Sequence, residues 1–235
     1  MALGVVSLFA DMTYEGARSA TGPFLALLGA SATIVGLTAG AGELLGYSLR
    51  LASGYVADRT GHYWGVTIVG YAINMLAVPA LALAGRWEVA VALMMAERVG
   101  KAIRTPPRDA MLSHAAQRVG RGWGFGVHEA LDQVGAVVGP LLVAGVLSAR
   151  GDYRASFAVL LAPALVALAV LALARRQHPH PRTFEAAPAT LEPRGLPQRF
   201  WVYLAGVAFI AAGYADFPLI AFHLKKAAVA PDSVV

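Results

Sequence analysis

Long apolar stretches recur along this chain and are separated by mostly short polar loops. Seven of them are long enough for a membrane-spanning helix, which needs ~20 predominantly apolar residues. They are residues 2–29, 32–57, 64–84, 88–104, 123–148, 155–174 and 200–224. The third and sixth carry no charge, whereas the four segments around them contain ionisable side chains. This pattern predicts an all-α polytopic membrane helical bundle that separates lipid from an aqueous pathway.

The composition agrees with a location in the bilayer. Hydrophobic residues make up 57% of the chain and charged residues only 14%, against about a quarter in soluble domains. The first segment is not a signal peptide, because it lacks a basic start and Asp11, Glu15 and Arg18 interrupt its apolar run. The chain has no cysteine, which excludes disulfides and thiolate metal sites.

Basic residues are distributed unequally between the two sides of the predicted membrane. When successive loops are assigned to alternate sides, eleven Lys and Arg residues lie on one side and five on the other. Because basic loops are retained in the cytoplasm, this bias predicts a cytoplasmic N-terminus and an inner-membrane location. The net charge of +5 therefore does not indicate a nucleic-acid partner.

A polar, proline-rich stretch divides the chain. Residues 1–175 are predicted to form a six-helix bundle, residues 176–199 a cytoplasmic linker, and residues 200–235 the first helix of a truncated second half. In the second segment, Gly36 and Gly40, then Gly42 and Gly46, repeat the spacing that allows close helix packing. In the fourth segment, Pro106 and Pro107 predict that the helix ends near Arg104, so that Lys101 and Arg104 reach the cytoplasmic surface.

Ionisable residues within the bilayer are costly, by about 2.5–3.5 kcal/mol each, and usually serve function. Asp11, Glu15 and Arg18 are spaced at i, i+4 and i+7 and share one helix face. Two carboxylates in a low dielectric disfavour joint ionisation, so one is expected to hold a proton unless Arg18 or another cation compensates. The full set predicted to serve proton coupling or a substrate cavity is Asp11, Glu15, Arg18, Glu43, Glu97, Arg98, His128 and Asp132.

The same residues also allow a purely structural interpretation. Glu43 with Arg98 could form an internal salt bridge that ties the helices together. His128 could equally satisfy a helix hydrogen bond. The spacing of the residues leaves both interpretations open.

Two glycine motifs resemble those of the major facilitator superfamily. Between the second and third segments, Gly54, Asp58, Arg59 and Gly61 resemble the core of its motif A, although uncharged aromatic residues follow where the family has basic ones. In the fifth segment, the spacing of motif C is matched by Gly126, Gly135, Gly139 and Pro140. The closing glycine pair of that motif is Val143-Ala144 in this chain.

This resemblance implies a twelve-helix protein of two six-helix halves that alternates access to a central cavity, with the C-terminal half missing from this chain. In the family, the first and fourth helices line the cavity, the third and sixth face lipid, and Asp58, supported by Arg59, would pair with the second half. Gly135, Gly139 and Pro140 would shape the fifth helix where the halves meet.

Motif C goes with export in the family. The resemblance therefore implies proton-driven export of a small organic solute, with Asp11, Glu15 or Asp132 taking the proton. No cofactor is expected beyond a proton or cation gradient.

Two alternatives remain beside proton-driven export. A proton- or cation-coupled symporter could bind a small anion through Arg18 and Arg98. An intramembrane enzyme is a more remote reading, because the chain has no H-E-x-x-H metal motif and no Gly-x-Ser-x-Gly nucleophile motif. No metal site is predicted.

Overall fold

The computed structural model describes residues 2–116, 120–179, 197–213 and 217–229. Within these ranges the chain is helical and has no strand, which confirms the predicted all-α class. The helices are α1 (Ala2–Leu27), α2 (Ala32–Thr60), α3 (Tyr63–Ala80), α4 (Trp87–Ala115), α5 (Arg121–Arg150), α6 (Tyr153–Val159), α7 (Leu161–Gln177), α8 (Gln198–Ala212) and α9 (Phe217–Lys226). Most of the predicted linker lies outside the described residues.

Three spans are long and apolar enough to cross a membrane by length and composition alone, counting only the described residues. They are Tyr63–Leu83, Gly122–Arg150 and Tyr153–Gln177. The first and third of these correspond to the two charge-free segments of the sequence. The helices α1, α2 and α4 are also long enough to cross a bilayer. They are not among the three apolar spans, and each of them carries several ionisable residues.

Two predicted single helices are divided in the structure. The sixth segment breaks at Leu160, between α6 and α7. Pro163 lies in the first turn of α7, where a helix does not use the backbone N–H that proline lacks. If α6 continued unbroken through Pro163, the carbonyl of Val159 would lose its backbone donor. The seventh segment forms α8, which ends before Gly213, and α9, which has Pro218 as its second residue.

The fourth helix does not end near Arg104, and that prediction is wrong. The helix α4 continues to Ala115 and contains both prolines. A proline inside a helix leaves the carbonyl four residues earlier without its backbone donor. For Pro106 that carbonyl belongs to Ala102, and Ser53 Oγ of α2 donates a hydrogen bond to it at 3.1 Å. A neighbouring helix therefore supplies the donor that the proline lacks.

Replacing Ser53 with alanine tests this substitution of donors. The variant Ser53→Ala should lower the free energy of unfolding by about 1–2 kcal/mol, because the buried carbonyl of Ala102 is left without a partner. Unfolding in detergent micelles, followed by circular dichroism, measures the change. The matched control is Ser148→Ala, whose hydroxyl donates to the Gly145 carbonyl on an exposed part of its own helix. Equal losses in both variants would contradict this explanation.

The helix α1 lies at the centre of the bundle and approaches α5 at backbone distance. A methyl group added to Gly139 would overlap the Met12 carbonyl and lie 2.9 Å from the Gly16 nitrogen. One added to Gly135 would overlap the Leu8 carbonyl and lie 3.0 Å from the Met12 nitrogen. The two glycines therefore allow α5 to contact the backbone of α1 directly.

Glycines also bring α3 and α4 together. A methyl group on Gly70 would lie 2.6 Å from the Arg104 nitrogen, and one on Gly100 would lie 2.5 Å from the Asn74 nitrogen. At one end of the bundle, Phe24 packs against Phe157 with ring centroids 5.0 Å apart. The glycine contacts therefore hold α4 against α3, and the aromatic contact holds α6 against α1.

The glycines of α2 do not all pack as the sequence predicts. Of the four glycines in the predicted packing pattern, Gly36, Gly40, Gly42 and Gly46, only Gly42 has a close neighbour among the described residues, because a methyl group there would lie 3.2 Å from Met95 Cε. Beside Gly36, Gly40 and Gly46 no atom of the described residues lies within 4 Å of such a methyl group. These three instead border an open space between α1, α2 and α4.

Candidate functional site

A cavity of about 680 Å³ lies between α1, α2 and α4, with Ala211 of α8 and Leu219 of α9 at its edge. Such a volume is typical of sites for small organic molecules. In the described part of the chain, five charged residues line it, Arg18, Glu43, Arg50, Arg98 and Lys101. Three of them, Arg18, Glu43 and Arg98, belong to the set predicted from the sequence, and they come from three different helices.

Arg98 links the cavity to α2 by an ion pair. Its Nη1 donates to Glu43 Oε1 at 2.6 Å, and its Nε lies 3.7 Å from Glu97 Oε2. The Glu97 side chain is also held by α3, since Asn74 Nδ2 donates to Glu97 Oε1 at 2.8 Å. The structure therefore contains the Glu43–Arg98 salt bridge that the structural interpretation of the sequence required, and this bridge lies at the cavity wall.

Tyr14 of α1 contacts two cations of α4. Its ring centroid lies 3.3 Å from Lys101 Nζ and 5.5 Å from the guanidinium carbon of Arg98. A cation over an aromatic face is stabilised by the ring quadrupole. One turn further along α1, Arg18 Nη1 lies 3.9 Å from Glu15 Oε1, and both side chains are partly exposed.

A second group of polar residues lies between α1 and α4, separate from the cavity lining. Arg104 Nη2 is 3.8 Å from Asp11 Oδ1, and its guanidinium carbon is 4.3 Å from the Tyr71 ring centroid. Arg104 is 0% exposed. The prediction that Lys101 and Arg104 reach the cytoplasmic surface is therefore wrong, because α4 continues past both prolines and keeps this part of the helix inside the bundle.

The fifth helix extends this second group. His128 Nε2 lies 3.5 Å from Asp132 Oδ2 and 3.3 Å from Ser7 Oγ of α1. Arg108 of α4 donates to Ser7 Oγ at 3.1 Å and pairs with Asp109 at 2.8 Å. Among the described residues, Asp132 Oδ1 is buried and has no hydrogen-bond partner.

The eight predicted site residues therefore lie in two places. Arg18, Glu43 and Arg98 line the cavity, and Glu97 and Glu15 pair with its arginines. The other three, Asp11, His128 and Asp132, belong to what we call the inner cluster, together with Ser7, Arg104 and Arg108. In the described part of the chain, no group of three or more His, Asp or Glu side chains could hold a metal ion.

Sequence reasoning missed several members of both groups. Ser7 and Tyr14 continue the helical stripe of Asp11 and Arg18, because positions 7, 11, 14 and 18 fall on one face. A search of that helix face for uncharged polar residues would have identified both Ser7 and Tyr14. Asn74 lies in a segment without charges, so a search limited to ionisable residues could not detect it.

The motif A residues form the end of α2 and its junction with α3. Gly61 ends α2 with a φ of +66°, a left-handed conformation that suits glycine. Asp58 Oδ1 accepts a hydrogen bond from the Tyr63 hydroxyl at 2.9 Å, and Arg59 donates to the Tyr55 hydroxyl. Tyr63, which stands among the aromatic residues that replace the family's basic ones, thus contacts the motif's aspartate.

The motif C residues lie on more than one side of α5. Gly135 and Gly139 face α1, whereas Gly126 is exposed and no atom of the described residues would lie within 4 Å of a methyl group there. Pro140 lies inside the helix. The close approach of α1 and α5 therefore depends on two of the motif's three glycines.

Comparison with known proteins finds relatives that match nearly the whole of this chain. An uncharacterized protein of Mycobacterium tuberculosis and one of Mycobacterium bovis are each 47% identical over 239 residues, which cover 99% of this chain and 58% of the relative. An uncharacterized MFS-type transporter of Methanocaldococcus jannaschii is 31% identical over 140 residues, or 60% of this chain and 35% of the relative. The chain thus spans 58% of the length of its mycobacterial relatives.

The described helices are apolar on their outer faces and bury charged groups between α1, α4 and α5. Residues 3–228 match the family described as Major Facilitator Superfamily. The chain is therefore an integral membrane protein that belongs to the Major Facilitator Superfamily.

Proposed function

We propose that the protein is a proton-coupled secondary transporter that exports a small organic solute by alternating access. Solute binds in the cavity between α1, α2 and α4, and the proton binds in the inner cluster. The observation that carries this proposal is the carboxyl group of Asp132, whose Oδ1 atom is buried and has no hydrogen-bond partner among the described residues. A buried carboxylate oxygen without a partner is costly, and protonation lowers that cost because it removes the charge.

The inner cluster contains the groups that proton exchange requires. Asp11 and Asp132 are carboxyl groups from α1 and α5, and Arg104 and Arg108 of α4 are permanent cations beside them. Protonation of Asp11 leaves Arg104 without its counter-charge, which weakens the contact between α1 and α4. Proton occupancy is thereby coupled to the packing of the helices that line the cavity.

The helix α4 connects the two sites physically. Arg98 and Lys101 line the cavity, while Arg104, one turn after Lys101, lies in the inner cluster. The helix α1 does the same, with Asp11 in the cluster and Tyr14 in the cavity wall. A movement of either helix changes both sites at once, which is the requirement for coupled transport.

The variant Asp132→Asn tests the proton site. In inside-out vesicles with an acidic lumen, we expect it to lose gradient-driven uptake while it retains exchange of solute at equal pH, because the cavity is intact. Uptake is measured with radiolabelled benzoate, tetraphenylphosphonium and glucose. The double variant Asp11→Asn with Arg104→Met should behave likewise, since it removes an ionisable carboxyl without leaving a lone cation.

Glu88→Gln is the matched control, because its carboxylate lies at the exposed start of α4, 3.9 Å from Arg86. It should transport as the unmodified protein does. If both Asp132→Asn and the double variant keep full gradient-driven uptake, the inner cluster is not the proton site.

We also propose that the whole protein contains a second set of helices. Large apolar side chains are exposed on α2 and α5, including Leu44, Leu51, Val137 and Leu141. This agrees with the additional length of the mycobacterial relatives.

We also propose that the N-terminus lies in the cytoplasm, and the bias of basic residues supports this orientation. When Lys101 and Arg104 are left out because they lie inside the bundle, nine Lys and Arg residues lie on the predicted cytoplasmic side and five on the other. The motif C spacing of Gly126, Gly135, Gly139 and Pro140 supports export rather than import.

A further inference from the structure

We propose that the cavity binds a small organic anion, with Lys101 and Arg50 as the groups that hold its charge. This inference rests on the proposed role of the cavity as the solute site, and it names the class of solute. It depends on the charges that line the cavity, on which of them are already paired, and on the shape of the wall opposite them.

The cavity lining is predominantly cationic. Four of its five charged residues are basic, and Glu43 is the one acid that lines it among the described residues. Glu15 and Glu97 pair with Arg18 and Arg98 from beside the cavity. Even when these three carboxylates are all counted as ionised, one cation is in excess among the described residues. A cationic solute would therefore meet net repulsion, whereas a monoanion would neutralise the site.

The two cations that remain available are Lys101 and Arg50. Within the described residues neither forms an ion pair with a carboxylate, whereas Arg98 is bound to Glu43 at 2.6 Å. Lys101 Nζ lies over the Tyr14 ring, and the Arg50 guanidinium carbon lies 4.9 Å from the Tyr47 ring centroid. An aromatic face does not use the N–H donors as a carboxylate would, so these donors stay free for an anion.

The remaining wall suits an apolar body attached to the anionic group. Gly36, Gly40 and Gly46 of α2 border the cavity and have open space where side chains would stand. The Tyr47 ring lies among them on the same helix. A flat apolar group, such as the ring of an aromatic carboxylate, fits against a backbone surface of this kind.

Equilibrium binding tests the inference without a gradient. The protein at its natural length is placed in nanodiscs of neutral lipid, and thermal unfolding is measured against concentration of benzoate, citrate, inorganic phosphate, tetraphenylphosphonium or glucose. We expect benzoate to stabilise the protein and the cation and sugar to have no effect. Lys101→Met and Arg50→Gln should each raise the Kd for benzoate roughly 10- to 100-fold, as expected for loss of a charge-assisted contact.

Two further variants separate charge at the cavity from other effects. Lys101→Arg keeps the charge and should bind benzoate within a few-fold of the unmodified protein. Arg86→Gln removes a cation from the exposed loop before α4 and should leave the Kd unchanged. If one cavity variant fails to fold in the absence of ligand, the other decides the result.

The inference is overturned if none of the three anions, benzoate, citrate and phosphate, stabilises the protein. It is also overturned if tetraphenylphosphonium binds and Lys101→Met lowers the Kd for this cation. The experiments distinguish failure of the anion site from failure of the proposed transport function. Benzoate binding without gradient-driven uptake would refute proton coupling and leave the anion site in place. Gradient-driven uptake of tetraphenylphosphonium or glucose, without anion binding, would leave the transporter in place and refute the anion site.

Discussion

Gly139→Val is expected to prevent the protein from accumulating as a folded membrane protein. The added side chain would overlap the Met12 carbonyl of α1. This carbonyl is part of the backbone of a helix, so it cannot move aside as a side chain can. Overpacking of this kind costs about 1–3 kcal/mol where side chains yield, and we expect the upper end or more here. Size-exclusion chromatography after detergent extraction measures the folded fraction.

Gly145→Val is the matched control on the same helix. It makes the same change in size and helix propensity, but no atom of the described residues lies within 4 Å of a methyl group at that position. It should fold as the unmodified protein does. Similar yields from Gly139→Val and Gly145→Val would show that α1 and α5 do not need to approach at backbone distance.

Asp11→Asn should lower the free energy of unfolding by about 3 kcal/mol or more, because it leaves the guanidinium of Arg104 buried without a counter-charge. Arginine cannot relieve this by losing its proton. Adding Arg104→Met should restore most of the loss, since the pair is then replaced by neutral side chains. Unfolding of the two single variants and the double variant in detergent micelles gives the coupling energy.

The two single variants should also differ from each other. Arg104→Met leaves Asp11, which can take up a proton and become neutral, so it should cost less than Asp11→Asn. Glu88→Gln is again the control, since its carboxylate is exposed beside Arg86. If the losses from Asp11→Asn and Arg104→Met simply add in the double variant, the two groups do not form a functional pair.

The fold was largely predictable from sequence because its main signals are local. The runs of apolar residues placed α1, α2, α3 and α5 within a few residues of their observed bounds. The sixth and seventh segments each form two helices instead of one. The helix α4 also differs from its prediction, because the local rule for proline is correct but incomplete. Ser53 lies 49 residues before Ala102, and no local pattern indicates that its hydroxyl replaces the missing donor.

The site was predictable as a set of residues but not as an arrangement. Helical spacing placed Asp11, Glu15 and Arg18 on one face of α1, yet these three have partners in different places. Asp11 faces Arg104, whereas Arg18 borders the cavity. The cause is that one helix face is wide enough to contact two neighbours, and the sequence does not state which neighbour lies beside which residue.

By itself the sequence determined that the chain crosses a membrane as helices, that its charges lie on particular helices, and that it carries the glycine motifs of its family. These properties follow from apolarity and helical period, which act within one segment. The tertiary structure decided that the charges divide between a cavity and an inner cluster, and that Lys101 and Arg104 lie inside the bundle. Those outcomes depend on the depth and crossing of helices, which are set by contacts between residues far apart in the chain.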